Sequence, residues 1–245
     1  MKILAFDTST EALSVAVGIW PADWPAGGGE PQVWQHSGPG GAKASATLVP
    51  AVLALLQDAG LALAELDAIA FGRGPGAFTG LRTACAVAQG LALGANLPVL
   101  PVDTLHTMAE EARHQHGARQ VVVALDARMN EVYTARFDFD HPDQASTAQG
   151  AGFNVVAPEA LRAEAPWVLA GNAFAAYGDR LPTGVPRLDV LPTATAMLRL
   201  APALLAAGRA VHADDAMPLY IRDKVAFTTD ERLARAAQAA VPTPP

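Results

Sequence analysis

The sequence predicts a two-lobed mixed α/β protein, with helices lying on the faces of its sheets. Two observations lead there. The first hundred residues place strand-length and helix-length apolar segments in the order βββαβαβ. The second half then opens as the first does, with an apolar strand (120–125), a polar turn (126–130) and another strand (131–137). That echo suggests two related halves, although their sequence identity is too low to call a repeat. At 245 residues and 51% hydrophobic, the chain has ample core for one large domain or two modest ones. We expect one lobe over 1–103 and a second over 104–228, whose last helix returns to the first, followed by a disordered tail at 229–245.

The elements follow in order. Residues 2–6 form a short apolar strand, and Asp7-Thr8-Ser9-Thr10 turns it into a second strand at 13–19. Such a turn bonds back to its own backbone, and it also has the chemistry of a phosphate-cradling hairpin; both readings stay open. The stretch 20–31, with three prolines and Gly27-Gly28-Gly29, reads as a long exposed excursion. A third strand covers 32–36 and a Gly/Pro loop covers 37–42. Leu48, Val52, Leu55, Leu56 and Ala59 recur at helical spacing, with Thr47 as the expected N-cap, Pro50 in the first turn and Gly60 as the stop. Further on come strands at 66–71 and 98–102 and a helix from Thr104 to His116. In the second half, 138–150 reads as a polar loop, 153–156 and 167–170 as strands, and 193–207 as a helix.

The centre of the chain is 71–94, FGRGPGAFTGLRTACAVAQGLALG. Gly72, Gly74 and Gly76 allow backbone conformations closed to other residues, and Pro75 fixes one φ. With Thr79 as N-cap, the first N–H groups of the following helix would face an anion. Arg73 and Arg82 flank the loop and read as solvated. Ala86, Gly90 and Gly94 fall on one line of that helix, leaving room for another backbone to approach.

Several function classes are excluded or weakened. A net charge of −7 without a Lys/Arg cluster argues against this chain holding nucleic acid by itself. No apolar run is long enough to cross a bilayer, and Asp7 and Glu11 interrupt the first apolar segment, so no secretory leader and no membrane association are expected. The single cysteine, Cys85, fits a reducing cytoplasm and reads as a small core residue. The histidines, among them His114 and His116, lack the spacing of a metal site. Neither Gly-x-Ser-x-Gly nor a Walker A ending is present. Asp126 and Arg128 are expected to pair across their turn. Composition and spacing yield no complete catalytic set.

Four segments carry a resemblance: KILAFDTSTE (2–11), GRGPGAFTGLR with AQGLALG (72–94), ALDARMNEVY (124–133) and PLYIR (218–222). In this order the chain resembles the TsaB family of bacterial tRNA threonylcarbamoyladenosine biosynthesis proteins. The resemblance implies the ASKHA fold (actin, sugar kinase, Hsp70), with two RNase H-like lobes. It also implies a non-catalytic subunit that pairs with the paralogue TsaD and is joined by the ATPase TsaE. Together these transfer a threonylcarbamoyl group to N6 of adenosine 37 in tRNAs reading codons that begin with A, so tRNA is met only through the complex. TsaD holds a metal through His-x-x-x-His, where this chain reads Lys43-Ala44-Ser45-Ala46-Thr47-Leu48. No metal site and no catalytic residue are therefore expected.

By the same resemblance, Val52, Leu56, Arg82, Ala86, Gly90 and Gly94 would face the partner, or a second copy in a homodimer when TsaD is missing. Asp7, Thr8, Ser9, Gly74, Gly76, Thr79 and Asp126 are the phosphate-loop-like candidates. No tightly bound cofactor is implied, while ATP or ADP at a subunit interface is allowed. Two departures stand out: the stretch 20–31 is longer than the family's usual hairpin, and Asn130 stands where glycine is common. The competing reading is an enzyme, either an ASKHA-type small-molecule kinase using Asp7 and Asp126 or an M22-like peptidase.

Overall fold

The computed structural model describes residues 1–24, 29–141 and 152–222. The expected tail at 229–245 and most of the polar loop expected over 138–150 lie outside them. Two five-stranded mixed sheets form the frame. The first contains β1 (Lys2–Asp7), β2 (Ala12–Ile19), β3 (Gln32–Pro39), β4 (Ala68–Gly74) and β5 (Val99–Asp103), in the order β3-β2-β1-β4-β5. The second contains β6 (Gln120–Asp126), β7 (Val132–Asp138), β8 (Asn154–Val156), β9 (Val168–Gly171) and β10 (Arg187–Asp189), in the order β10-β9-β6-β7-β8.

Numbered within each lobe, both sheets run 3-2-1-4-5. In each, the first hairpin and the third strand are antiparallel, and the fourth and fifth strands are parallel. The echo between the halves is thus a shared topology, the doubled RNase H-like arrangement of the ASKHA fold.

The helices are α1 (Ala44–Asp58), α2 (Phe78–Ala95), α3 (Thr104–His116), the single turn α4 (Phe174–Tyr177) and α5 (Ala194–Ala206). On one face of the first sheet, α1 and α2 bury Leu48, Val52, Leu56, Ala84 and Ala88 against Leu4, Phe6, Val15 and Phe71. Its other face is covered by α5, where Met197, Leu198 and Ala201 meet Ile3, Ala5 and Ala16. The second sheet packs α3 on one side and the segment around Leu161, Tyr177 and Leu181 on the other. Between the lobes, α3 and α5 meet through Glu110 and Glu111, both buried and both paired with Arg199.

Several local expectations change. The strand expected at 32–36 runs on to Pro39 because it pairs along all of β2. Helix α1 starts at Ala44, so Thr47 is not its cap: the Thr47 hydroxyl donates to the Lys43 carbonyl (3.1 Å) inside the first turn. Pro50 then lies deeper in the helix than expected. Trp20, at the start of the expected exposed excursion, is buried against α5 and meets Trp24 edge-on at 6.2 Å; 25–28 lie outside the described residues. Cys85 is a core thiol, donating to the Ala216 carbonyl (3.2 Å), with its pKa pushed up by burial.

Candidate functional site

The β1–β2 turn, the β4–α2 loop and the β6–β7 turn converge at the cleft between the lobes. In the first of these, Asp7 is 1% exposed. Its Oδ1 accepts from the Ser9 backbone N–H (2.8 Å) and the Ser9 hydroxyl (2.6 Å), whereas its buried Oδ2 has no partner among the described residues. Burial pushes the Asp7 pKa up to about 6, against the lowering effect of the two Ser9 bonds. The Thr8 hydroxyl donates to the Gly80 carbonyl (2.8 Å) in α2, and the Ala77 N–H donates to the Ser9 carbonyl (2.7 Å). The turn is thereby fastened to the start of α2.

The glycines make that fastening possible. A Cβ on Gly80 would stand 1.8 Å from the Thr8 carbonyl oxygen, one on Gly76 2.5 Å from that of Ser9, and one on Gly72 1.8 Å from Asp7 Oδ2. Spaced four apart, they let loop and helix lie directly on the turn. Gly74, at φ +119°, faces the carbonyl of Leu219 instead. Thr79 does not cap α2: Ala77 occupies that position without a side-chain bond, and Thr79 is an exposed residue of the first turn. Arg73 is not solvated either; its Nε lies 2.6 Å from Asp103 Oδ1, both side chains largely buried.

Across the cleft, Asp126 Oδ1 accepts from the Arg128 N–H (2.7 Å) and the Tyr177 hydroxyl (2.8 Å). Arg128 reaches Asp126 Oδ2 at 3.3 Å and Glu11 of the first lobe at 2.9 Å, so it bridges the lobes. Arg128, Met129 and Asn130 all adopt positive φ, 59°, 56° and 61°; asparagine tolerates that conformation. A 70 Å³ cavity brings Ser9, Gly76 and Asp126 together with Arg128 and Asn172. Asp7, Thr8, Gly74 and Thr79 do not line it, and the side chains of Asp7 and Thr8 are turned into the protein.

The expected partner face divides. Val52 and Leu56 lie in the core, 0% and 4% exposed, and cannot meet another chain. Their helix instead exposes Val49 and Leu53. On α2, Ala86, Gly90 and Gly94 are exposed, nothing lies within 4 Å of a Cβ on either glycine, and Leu93 beside them is 54% exposed. Arg82 is exposed, stacks on the Phe78 ring at 3.8 Å and donates to the Tyr220 hydroxyl at 3.1 Å. Among the described residues no group of three or more His, Cys, Asp or Glu is arranged to hold a metal ion, and no helix is long and apolar enough to cross a membrane.

A family model described as TsaD, tRNA N6-adenosine threonylcarbamoyltransferase, matches residues 40–229. The chain is 36% identical over 241 residues to the tRNA threonylcarbamoyladenosine biosynthesis protein TsaB of Escherichia coli (strain K12), covering 93% of this chain and 97% of that one. It is 34% identical over 243 residues to the TsaB protein of Haemophilus influenzae, covering 93% and 96%. Among solved structures, YeaZ from Pseudomonas aeruginosa matches with a TM-score of 0.76 and 38% identity over 90% of this chain and 99% of its own. The chain belongs to the TsaB family.

Proposed function

We propose that this chain is a non-catalytic subunit in the biosynthesis of threonylcarbamoyladenosine on tRNA. One observation carries the reading: identity along nearly the whole length with proteins named for that biosynthesis. The chain would pair with TsaD through the exposed faces of α1 and α2, with TsaE joining the pair, and would meet tRNA only as part of that cytoplasmic assembly. A homodimer through the same face would form when TsaD is absent. No cofactor would be held tightly, and ATP or ADP would sit at a subunit interface. The accessory role is supported by side-chain chemistry, because Lys43–Leu48 offers no imidazole where the catalytic paralogue has its metal ligands.

Reconstitution tests this. TsaD, TsaE, threonylcarbamoyl-adenylate and unmodified tRNA should give modified adenosine 37 only when this chain is added, and the chain with tRNA and donor alone should give none. Transfer undiminished without it would remove the accessory role, and transfer by it alone would make it an enzyme. Sustained ATP hydrolysis by the isolated chain would favour the kinase reading.

A further inference from the structure

Strand β7 divides its side chains between the two faces of the second sheet. Tyr133, Ala135 and Phe137 join the core under α3, while Val132, Thr134, Arg136 and Asp138 alternate onto the opposite face. Leu161, Tyr177 and Leu181 cover that face at Val132, and beyond it a cavity of 450 Å³ lies open beside Thr134 and Arg136. Val122, Val156 and Leu161 line it with hydrocarbon, and Trp167 and Arg162 line it too. It shares no residue with the cleft cavity of Ser9, Gly76 and Asp126. Thr134 is 8% exposed, and its hydroxyl has no hydrogen-bond partner among the described residues. Arg136 stacks on the Trp167 ring at 5.1 Å and donates to the Arg162 carbonyl at 2.8 Å. Arg162 in turn donates to the carbonyls of Glu159 (2.5 Å) and Leu161 (2.9 Å). Both guanidiniums are thus held in place by neutral oxygens, and neither forms an ion pair among the described residues. The Glu159 carboxylate is taken by Arg180. Asp138, the acid in the lining, accepts from Gln120 and from the N–H groups of Asp140 and His141, which lower its pKa, Gln120 most.

We propose that this cavity binds an organic carboxylate with an apolar body, in the size range of an arylalkanoic acid. A guanidinium fork matches a planar carboxylate, and Arg136 and Arg162 bring two positive charges that no protein acid among the described residues neutralises. The Thr134 hydroxyl would donate to the same group. Val122, Val156, Leu161 and the Trp167 ring would bury the hydrocarbon, and 450 Å³ falls within the usual range of small-molecule pockets, about 300–1,000 Å³. Charge and lining together select the class. Two unneutralised cations disfavour an amine, and a bare inorganic anion would leave the hydrocarbon lining unused. Among the described residues no α-helix begins in the lining, so the backbone N–H set that favours phosphate is missing.

The test is NMR titration of the full chain with 4-phenylbutyrate, with 4-phenylbutanamide and acetate as separate arms. The acid should shift the Trp167 indole and the Thr134 and Asn154 amides saturably, and leave the Ser9 and Asn172 amides of the cleft unmoved. The amide lacks the charge and acetate lacks the body, so each should bind about tenfold or more weakly. Arg136→Gln and Arg162→Gln, both at exposed positions, should fold normally and each lower affinity about tenfold, as for one hydrogen bond between charged groups. Thr134→Val keeps the shape of the strand residue and should lower affinity about fivefold. No saturation by about 10 mM 4-phenylbutyrate, or full affinity in any of the three variants, overturns the proposal. The amide or acetate binding as tightly as the acid, or saturable shifts confined to the cleft, overturns it too.

Discussion

Arg199→Met should be among the most destabilising substitutions that leave the hydrophobic core intact. Arg199 on α5 lies 2.8 Å from Glu110 Oε1 and 2.5 Å from Glu111 Oε2 on α3. The two glutamates have side chains 3% and 7% exposed, against 25% for the arginine. Without Arg199, Glu110 keeps Arg113 at 2.6 Å, but Glu111 keeps only neutral donors, the Thr193 hydroxyl at 2.9 Å and Gln115 Nε2 at 2.6 Å. A contact pair at this partial burial is worth about 4 kcal/mol of Coulomb attraction before desolvation. Breaking a buried pair from one side costs ~3–5 kcal/mol, because the remaining charge stays buried. Methionine retains the apolar stem, so the loss should be mostly electrostatic. Urea unfolding at pH 7 should therefore show ~3 kcal/mol lost from a total of about 5–15 kcal/mol. Adding Glu111→Gln removes the orphaned charge and should recover about 1 kcal/mol or more. A loss below about 1 kcal/mol, or a double variant less stable than Arg199→Met alone, would refute the claim that this cluster fastens α3 to α5.

Two helix glycines should respond with opposite signs in the same assay. Gly80→Ala drives a Cβ to 1.8 Å from the Thr8 carbonyl and should cost ~3 kcal/mol or more, whereas Gly90→Ala meets nothing within 4 Å and should gain ~0.5–1 kcal/mol of helix stability. For the same reason Gly90→Leu should leave the isolated chain folded and abolish co-purification with TsaD; pairing that survives would move the partner surface elsewhere. Asp7 should make stability fall as pH rises. Its folded pKa of about 6 exceeds the ordinary 3.8, so between those values the folded chain keeps a proton the unfolded chain has lost. The difference amounts to ~3 kcal/mol once pH passes the folded value. Asp7→Asn should flatten urea stability between about pH 4 and pH 7, and an unchanged pH slope would show that Asp7 is not its source.

The first lobe was legible because its signals are local. Apolar strands, a turn of Asp, Thr and Ser, and a glycine loop before a long helix each report on their own segment. Helix α1 marks where that stops. Leu48, Val49, Val52, Leu53, Leu55 and Leu56 make it apolar nearly all round, so periodicity identifies a helix without saying which face turns inward. The chain buries Val52 and Leu56 and exposes Leu53, which only the sheet beneath could decide. Strand β10 and the single turn α4 were missed for a related reason. Three residues between Pro186 and Pro192 become a strand only because β9 is there to pair with them.

The cleft shows the same limit at the level of chemistry. Glycine, threonine and aspartate near a helix start suit phosphate binding, and they equally suit two backbones in contact. Which use applies depends on what stands opposite. Opposite Gly76 and Gly80 stand the Ser9 and Thr8 carbonyls of the same lobe, so the pattern holds the β1–β2 turn against α2. Beside Ala77 and Phe78 at the start of α2, Tyr133 and Arg222 line the same cavity, 55 and 144 positions from Phe78 in the chain. No local pattern couples residues that far apart. The glycines therefore read correctly as a sign of the fold. The cavity beside them is assembled from residues that only the two lobes together supply, so in this chain the conspicuous motif reports on the turn it packs against and not on that cavity.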